Sequence, residues 1–304
     1  MKGPASRRAV NGVVVLNKPR GLTSQQAVSR VKRLFTAGKA GHTGTLDPLA
    51  DGVLPVGLGE ATKFSRFLLE ADKVYLATAR LGIRTTTGDC EGDVLSEQPA
   101  TVNPAELLAA AAAQVGERLQ VPPMYSALKV GGKALYEYAR AGVVVDREPR
   151  KIIIYDLQVT DIKEEYFSFR IQCSKGTYIR TVAEEIGDRL GCGAHLTALT
   201  RAAAGRFLIE NAVDFEELEA FSETERDAAL YPVDAFALDL PPMAVDEDQW
   251  RRFVCGQKLT VAAEDGDYRL YALDGQFIGV GSVVTGVLQA IRLMATPAAD
   301  KVPD

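Results

Sequence analysis

The stretch from residue 41 to residue 59 constrains the fold of this chain most, because glycine stands at five of its nineteen positions. Glycine permits backbone conformations that a β-carbon forbids. The stretch also holds His42, one of two histidines in the chain, and Asp47, which Pro48 biases towards an extended conformation. The pattern predicts an active-site loop over 41–59 in which the carboxylate of Asp47 points in a fixed direction.

Length and composition are typical of an ordinary globular protein. The 304 residues are 47% hydrophobic and 25% charged, which suits one domain of roughly 200 residues and a smaller second one. The four cysteines show no C-x-x-C spacing, so a zinc ribbon, a redox pair and a disulfide framework lack support. No run approaches the roughly 18 apolar residues of a membrane span, and the N-terminus lacks a signal-peptide pattern. We therefore expect a cytoplasmic protein that binds no membrane.

The charge of the chain is unevenly distributed. Its net charge of −5 argues at first against a nucleic-acid partner. Residues 210–248, however, hold thirteen acidic residues and one basic residue, a local charge of −12. The rest of the chain therefore carries +7, so its main body is basic. A solvent-exposed acidic face is the ordinary interpretation of residues 210–248.

Periodic patterns predict several strands and helices. Strands are indicated over 12–16 and 74–81, and a pair of strands over 152–154 and 166–173. Helices are predicted from the capping box of Thr23 and Gln26, over 60–70, from the capping residue Asn103, and over 179–190 up to Gly191.

The sequence pattern of the C-terminal part changes after two prolines. Pro241 and Pro242 mark the best candidate for a domain boundary. Beyond them, residues 268–273 and 276–282 predict a β-hairpin whose connection, Asp274-Gly275, is typical of a type I′ turn. We expect a small β-rich unit of about 55 residues there.

The chemistry of the chain centres on Asp47. The sequence lacks the spacings that mark metal sites, and Glu60 stands where a phosphate-binding loop would usually have a lysine. An aspartate in a glycine-rich loop can be a nucleophile, a general base or a simple turn former. Arg180, at a predicted helix start, could form a bidentate pair with this carboxylate and keep it ionised.

Six motifs then follow one another along the chain. They are NKPRGLTS (17–24), the stretch 41–59, Tyr75 with ARLG (79–82), PMYSALK (123–129), CSKGTYIR (173–180) and GCGAHL (191–196). Together they resemble the bacterial tRNA pseudouridine-55 synthases of the TruB type over roughly residues 10–235. After Pro241 the resemblance is weaker and rests on position and hairpin character.

The resemblance implies an α+β fold. It has a mixed, largely antiparallel central sheet with flanking helices, and a small β-rich, PUA-like C-terminal domain. We expect a flexible N-terminus over 1–9, a catalytic domain over 10–240, a PUA-like RNA-binding domain over 241–296 and a flexible tail over 297–304. An insertion over about 123–151, here called the thumb, would grip RNA.

The resemblance also implies a reaction and roles for particular residues. Asp47 would attack a uridine flipped out of the T loop of tRNA at position 55, and the base would rejoin its sugar through carbon 5. His42 would enter the RNA loop in place of extruded bases. Tyr75 would stack on the target base and assist proton removal. Tyr178 and Leu199 would form the walls of the uracil site, and Arg180 would pair with Asp47.

The implied partner is the T arm of tRNA. We expect a monomer that needs no membrane, no obligatory protein partner and no guide RNA, and a reaction that needs no metal and no cofactor. Cations interleaved with tyrosines in the thumb suit phosphate neutralisation and base stacking, although an amphipathic helix and hairpin would look similar. The candidate RNA-binding residues are Lys129, Lys133, Arg140, Arg150 and Lys151.

The chain departs from the family pattern at two positions. Thr86 stands where an acid is expected, which leaves Asp89 as the polar contact. Asp51 adds a carboxylate four residues after Asp47, and we expect it to face away because it would otherwise raise the pKa of Asp47. We assign Lys18 and His195 structural roles.

Two other functions remain open on the sequence. The same features could serve an RNA-binding or tRNA-folding protein in which catalysis is secondary. A metal-free hydrolase could use the same carboxylate to release free uracil.

Overall fold

The computed structural model describes residues 7–101 and 103–294. Its helices are α1 (Ser24–Leu34), α2 (Ser65–Leu69), α3 (Pro104–Ala112), α4 (Leu135–Arg140), α5 (Ile179–Arg189), α6 (Phe215–Ala220), α7 (Glu223–Ala228) and α8 (Glu247–Val254). The strands as far as the thumb are β1 (Gly12–Lys18), β2 (Ala40–His42), β3 (Asp51–Leu58), β4 (Lys73–Leu81), β5 (Ile83–Thr85), β6 (Val94–Glu97) and β7 (Gly116–Gln120).

The remaining strands lie in the thumb, in the central sheet and in a C-terminal sheet. They are β8 (Lys129–Val130), β9 (Lys133–Ala134), β10 (Arg150–Lys163), β11 (Tyr166–Cys173), β12 (Ala194–Ala204), β13 (Phe207–Leu208), β14 (Pro242–Val245), β15 (Leu259–Thr260), β16 (Gly266–Ala272), β17 (Phe277–Val284) and β18 (Val287–Leu293). Short 3-10 turns lie at Gly59–Lys63, Ile209–Asn211 and Val233–Ala237.

A central sheet organises the larger part of the chain. Its main path runs β1-β3-β12-β4-β11-β10-β7, with β2 paired to β3 and β13 to β12. Neighbouring strands are antiparallel except β3 and β12, which are parallel with Thr200 opposite Asp51 and Arg201 opposite Gly52. Helices α1, α3 and α5 pack on this sheet. The predicted fold class, a mixed and largely antiparallel sheet with flanking helices, is confirmed.

Both faces of the sheet are covered near its β1 edge. Val14 and Leu16 of β1 join the core formed with α1, α3 and α5. Val13 and Val15 point the other way and pack into a second core with Phe64 and Phe236. Because successive residues of a strand face opposite sides, burial on both faces requires the continuous apolar run that β1 has.

A second, five-stranded sheet follows Pro241 in the order β14-β16-β17-β18-β15. It has its own core of buried residues, among them Phe253 and Leu270. It also contacts the larger part of the chain, where the rings of Phe64 and Phe277 meet edge to face with centroids 5.0 Å apart. The small β-rich C-terminal unit predicted from the sequence is therefore present.

Most predicted elements form where the patterns place them. The Thr23 side chain accepts from the Gln26 backbone N–H, so the capping box at the start of α1 is present. Asn103 caps α3 by accepting from the Ala105 N–H. Both strands predicted over 152–154 and 166–173 form, but β11 pairs with residues 154–163 of β10, whereas Ile152 and Ile153 are in register with β7. Helix α5 ends one residue before Leu190.

Three predictions about local structure are wrong. The stretch 41–59 is not one loop, because β2 and β3 occupy most of it and only residues 43–50 connect them. The helix over 60–70 is broken at Phe64, whose φ of −104° and ψ of 0° separate a 3-10 turn from α2. The break lets the Phe64 ring enter the second core.

The third error is the turn type of the C-terminal hairpin. A type I′ turn needs positive φ at both central residues, whereas Gly275 has φ of +87° and Asp274 is not among the positive-φ residues. The Gly275 N–H bonds to the Ala272 carbonyl, and the Ala272 N–H to the Gln276 carbonyl. The connection is thus a three-residue loop that closes with a left-handed glycine.

Two further points concern the ends of the chain and membranes. The flexible ends expected over 1–9 and 297–304 lie wholly or largely outside the described residues. Within 7–101 and 103–294, no helix has the length and apolar character needed to cross a membrane.

Candidate active site

The loop over 43–50 is fixed from several sides. The hydroxyl of Ser24, at the start of α1, donates to the Leu46 carbonyl at 2.9 Å and accepts from the Leu46 N–H at 2.8 Å. The Gly21 N–H donates to the Pro48 carbonyl at 2.7 Å, and the Ala50 N–H to the Asp47 carbonyl at 3.1 Å. These bonds hold the backbone on both sides of Asp47.

The carboxylate of Asp47 faces the guanidinium of Arg180. Arg180 is the second residue of α5 and is 4% exposed, and its Nη2 lies 3.0 Å from Oδ2 of Asp47. Nη2 also donates to the Tyr125 carbonyl at 2.7 Å, while Nη1 donates to the Thr87 carbonyl at 2.7 Å. A planar guanidinium tied at several points is a fixed counter-charge for Asp47.

The surroundings of Asp47 act on its pKa in opposite directions. Burial raises the pKa of Asp47, the charge of Arg180 lowers it, and the nearby carboxylate of Asp89 raises it. The net shift is upward. Asp47 therefore holds its proton more tightly than an ordinary aspartate, and Arg180 limits that effect.

Asp89 completes the polar side of the site. It is buried, and one of its oxygens lies 3.7 Å from Nη1 of Arg180. The same carboxylate accepts from the Thr87 hydroxyl at 2.5 Å and from the Glu91 N–H at 3.0 Å. The polar contact that the sequence assigned to Asp89 in place of Thr86 is thus directed at Arg180.

Lys18 is a buried cation behind the loop. Its ammonium donates to the carbonyls of Pro19 and Leu22 at 2.9 and 2.7 Å. Burial lowers the pKa of Lys18 to about 8, while the charges of Asp51 and Asp47 raise it. Asp51 begins β3, and the carboxylate that raises the pKa of Asp47 is that of Asp89. Whether Asp51 faces away from Asp47 stays a prediction.

The structure brings five of the sequence-predicted site residues to one cleft. Its volume is about 340 Å³, and its walls include Asp47, Tyr75, Tyr178, Arg180 and Leu199. Tyr75 and Leu199 come from the adjacent strands β4 and β12, whereas Tyr178 immediately precedes α5. The cleft combines one carboxylate with flat and apolar walls, which suits a planar base.

Sequence reasoning missed Arg201, which also lines this cleft. Arg201 is 1% exposed, its Nε donates to the Val53 carbonyl at 2.7 Å, and its Nη2 donates to the Gly44 carbonyl at 3.2 Å. Burial raises the pKa of Tyr75, and the charge and hydrogen bond of Arg201 lower it. An arginine within a strand of small apolar residues was the available signal.

His42 lies outside the walls of the cleft. It ends β2, opposite Val56 of β3. Burial lowers the pKa of His42, and the charge of Arg201 lowers it further. The imidazole is therefore neutral near pH 7, in the form that stacks on bases without charge. His195 is buried elsewhere, with its Nδ1 3.1 Å from the Ile83 carbonyl.

The candidate RNA-binding residues occupy the thumb and its root. Nζ of Lys133 lies 4.8 Å from the centroid of the Tyr138 ring, and Cζ of Arg140 lies 5.4 Å from the centroid of the Tyr136 ring. Lys151 pairs with Glu117 at 2.7 Å. Lys129 and Arg150 are exposed, and no ion pair joins their side chains to any residue that the structure describes. These two are the most available for phosphates.

Family models match nearly the whole described chain. Residues 32–179 match the N-terminal domain of the TruB family pseudouridylate synthases. Residues 180–237 match the tRNA pseudouridylate synthase B C-terminal domain, and residues 241–294 match the C-terminal model of pseudouridine synthase II TruB.

Similar curated proteins carry one name. The tRNA pseudouridine synthase B of Burkholderia mallei (strain NCTC 10247) is 52% identical over 301 residues, covering 96% of this chain and 100% of that protein. The protein of that name from Methylobacillus flagellatus is 50% identical over 277 residues, covering 90% of this chain and 92% of its own length.

Solved structures of similar fold come from larger assemblies. A chain in the crystal structure of a Cbf5-Nop10-Gar1 complex aligns with a TM-score of 0.71 and 25% identity, covering 93% of this chain and 84% of that one. A chain in the archaeal box H/ACA sRNP Nop10-Cbf5 complex aligns with a TM-score of 0.72 and 24% identity, covering 95% and 89%.

Proposed function

The chain belongs to the TruB family of pseudouridylate synthases, and we propose that Asp47 is the nucleophile with which it isomerises uridine to pseudouridine in tRNA. The conversion of uridine to pseudouridine in tRNA is the activity of this protein. The finer points proposed here are the residues that carry out the reaction, the target in the T loop and the way the RNA is held.

One observation supports the role of Asp47 above all others. Its carboxylate lies 3.0 Å from Arg180, inside a cleft that Tyr75, Tyr178 and Leu199 also line. A nucleophilic carboxylate must be ionised, and the charge of Arg180 lowers the pKa of Asp47 against the effect of burial. A simple turn former would need neither a buried counter-charge nor a cleft in front of it.

The net reaction moves one bond and one proton. The bond between C1′ and N1 of the uridine breaks, a bond between C1′ and C5 forms, and the hydrogen on C5 is replaced by one on N1. Attack by Asp47 would allow the base to detach and turn while it stays in the cleft. Tyr75 and Tyr178 would pack against the faces of the base, and Tyr75 would assist removal of the proton from C5.

The target uridine must leave the stacked T loop at position 55 to reach Asp47. Extrusion of a base costs a few kcal/mol of stacking. The neutral imidazole of His42 would replace that stacking within the RNA loop, next to the β2 end of the 43–50 loop. The exposed cations of the thumb, Lys129 and Arg150, would contact phosphates of the T arm.

The remaining parts of the proposal concern partners and location. We propose that the protein works in the cytoplasm as a monomer on tRNA, without a guide RNA or an obligatory protein partner, and that no metal or cofactor takes part. The reaction is an isomerisation without net oxidation or reduction, which fits a site made of Asp47, Tyr75 and Arg180 alone.

The experiment is incubation of the protein with an unmodified T-arm hairpin, followed by mapping of pseudouridine. Asp47→Asn should abolish product at the T-loop uridine while the dissociation constant for the hairpin stays within about twofold, because the amide keeps the shape but lacks the nucleophile. Asp161→Asn, at a half-exposed position in β10, is the matched control and should leave product formation unchanged.

The two alternatives that the sequence alone left open would give different outcomes in this experiment. An RNA-folding protein in which catalysis is secondary would keep its RNA-folding activity in the Asp47→Asn variant. A hydrolase would release free uracil and leave no carbon-linked isomer. Pseudouridine formed by the Asp47→Asn variant would overturn the assignment of the nucleophile.

A further inference from the structure

The root of the thumb is tied to the wall of the uracil cleft by one side chain. Gln120 ends β7, directly before the thumb, and is 2% exposed. Its Oε1 accepts from the Tyr178 N–H at 2.8 Å, and its Nε2 donates to the Tyr178 carbonyl at 3.2 Å. A single amide therefore satisfies both main-chain polar groups of a residue 58 positions further along the chain.

Tyr178 is the position at which such a bond has most effect on the site. It is the N-cap residue of α5, with φ of −95° and ψ of 110°, and no side-chain hydrogen bond caps the helix there. Its ring lines the cleft, and Arg180 follows two residues later. Whatever fixes the backbone of Tyr178 thus fixes the ring and the start of the helix that carries Arg180.

A second contact joins the same two regions. Nη2 of Arg180, which faces Asp47, also donates to the carbonyl of Tyr125 inside the thumb at 2.7 Å. The start of α5 is therefore bonded on both sides of Ile179, once to Gln120 just before the thumb and once to Tyr125 within it. By contrast, Leu119 and Val121, which flank Gln120, are 67% and 44% exposed.

We propose that Gln120 is a positioning residue that sets the backbone of Tyr178 and thereby links the thumb to the geometry of the uracil cleft. This inference rests on the proposed function of that cleft. Gln120 does not touch the reacting atoms. Its effect passes through Tyr178 and Arg180, whose displacement by even 1 Å can cost roughly a hundredfold in rate.

The test compares Gln120→Met and Gln120→Ala with the unchanged protein in single-turnover reactions on a T-arm hairpin. Methionine keeps most of the volume of glutamine but makes neither hydrogen bond, whereas alanine also leaves a cavity. Both variants should lose at least about tenfold in rate, while the dissociation constant for the hairpin stays within about twofold. The control is Gln114→Ala, another fully buried glutamine, whose partner is Arg118.

The outcomes separate positioning from packing. Recovery of the unchanged rate by Gln120→Met would mean that only volume matters, and it would overturn the proposal. A loss confined to hairpin affinity, or an equal loss in Gln114→Ala, would overturn it too. If Gln120→Ala does not fold, Gln120→Met alone decides. Asp47→Asn is measured in parallel. Product formed by that variant would contradict the assignment of Asp47 as nucleophile, and the comparison of the Gln120 variants would still be interpreted on its own.

Discussion

At the scale of the residue, the ionisation of Asp47 decides when the site can react. Burial raises the pKa of its carboxyl and Arg180 opposes that shift. Attack requires the ionised form, so activity should fall on acidification as pH drops through the raised pKa. An ordinary aspartate titrates near pH 4, and the loss of activity should begin at a higher pH than that.

Arg180 sets the position of that acid limb. Arg180→Met removes the charge that lowers the pKa of Asp47, so the pKa should rise and the acid limb should move to higher pH. Arg180→Lys keeps the charge and should move it less. The measurement is the single-turnover rate on saturating RNA as a function of pH. An acid limb at the same pH in Arg180→Met would contradict this account.

Some site residues could be predicted from the sequence, and others could not. Asp47 and Arg180 could be picked out because a proline, glycines and a helix start surround them. Ser24, Gln120 and Arg201 could not, since their partners lie 22 to 157 positions away in the chain. Such contacts depend on the arrangement of strands in the sheet, which no local pattern records.

At the scale of the element, the pairing of β3 with β12 places the loop of Asp47 against Arg201. Gly52 lies at this contact with φ of +98°, and a β-carbon there would come within 2.4 Å of the Arg201 carbonyl oxygen. A side chain at this position must push the two strands apart.

Gly52→Ala should therefore lower the free energy of unfolding by at least about 2 kcal/mol and slow product formation. Gly38→Ala is the matched control, because a β-carbon at Gly38 meets nothing within 4 Å, and its effect should stay within about 0.5 kcal/mol. Denaturant unfolding measures both. Equal stability of the two variants would show that the close approach is not a constraint.

The thumb should act through charge. Lys129→Ala and Arg150→Ala each remove an exposed cation, so each should weaken tRNA binding and lower the slope of log affinity against log salt by about one. Lys163→Ala, at the far end of β10 from Arg150, is the control. Binding titrations at several salt concentrations measure the slopes. An unchanged slope in both thumb variants would favour the amphipathic-hairpin interpretation.

Elements were predicted well where a cap or a strict alternation defines them, as at Thr23, Asn103 and residues 166–173. The predicted helix over 60–70 failed because the second core draws the Phe64 ring inward and interrupts the helix there. The local pattern could not include that core, since Phe236 and Val280 complete it from far along the chain.

At the scale of the whole molecule, the C-terminal sheet is held to the larger part of the chain by a partly buried polar cluster. Asp234 is 7% exposed, and its Oδ2 accepts from the Tyr271 hydroxyl at 2.5 Å and from Nη1 of Arg269 at 3.3 Å. Burial and the Asp234 carboxylate raise the pKa of Tyr271 to about 12. Tyr271 therefore stays a neutral hydrogen-bond donor at neutral pH.

Removing Asp234 should loosen this attachment. Asp234→Ala leaves Arg269 partly buried without its carboxylate, and it should lower the free energy of unfolding by about 3 kcal/mol. Asp239→Ala removes an exposed carboxylate 3.8 Å from Arg206 and should cost less than about 0.5 kcal/mol. Thermal unfolding compares the two variants. A small effect of Asp234→Ala would mean that the apolar contacts of Phe64 and Phe277 suffice.

The distribution of charge also belongs to this scale. The net charge of −5 hides a basic body, because residues 210–248 carry −12. Those residues include α6, α7, the connection to the second sheet and the first strand of that sheet, β14, and none of them lines the cleft. The net charge alone argues against an RNA substrate, whereas the distribution of charge along the chain is compatible with one.

The central claim is that Asp47 drives an isomerisation in which the hydrogen on C5 of a T-loop uridine is lost. The most direct measurement uses tRNA carrying tritium at C5 of its uridines. The unchanged protein should release one tritium to water for each pseudouridine formed in the T loop, and Asp47→Asn should release none. Labelled free uracil, or tritium release by Asp47→Asn, would contradict the account.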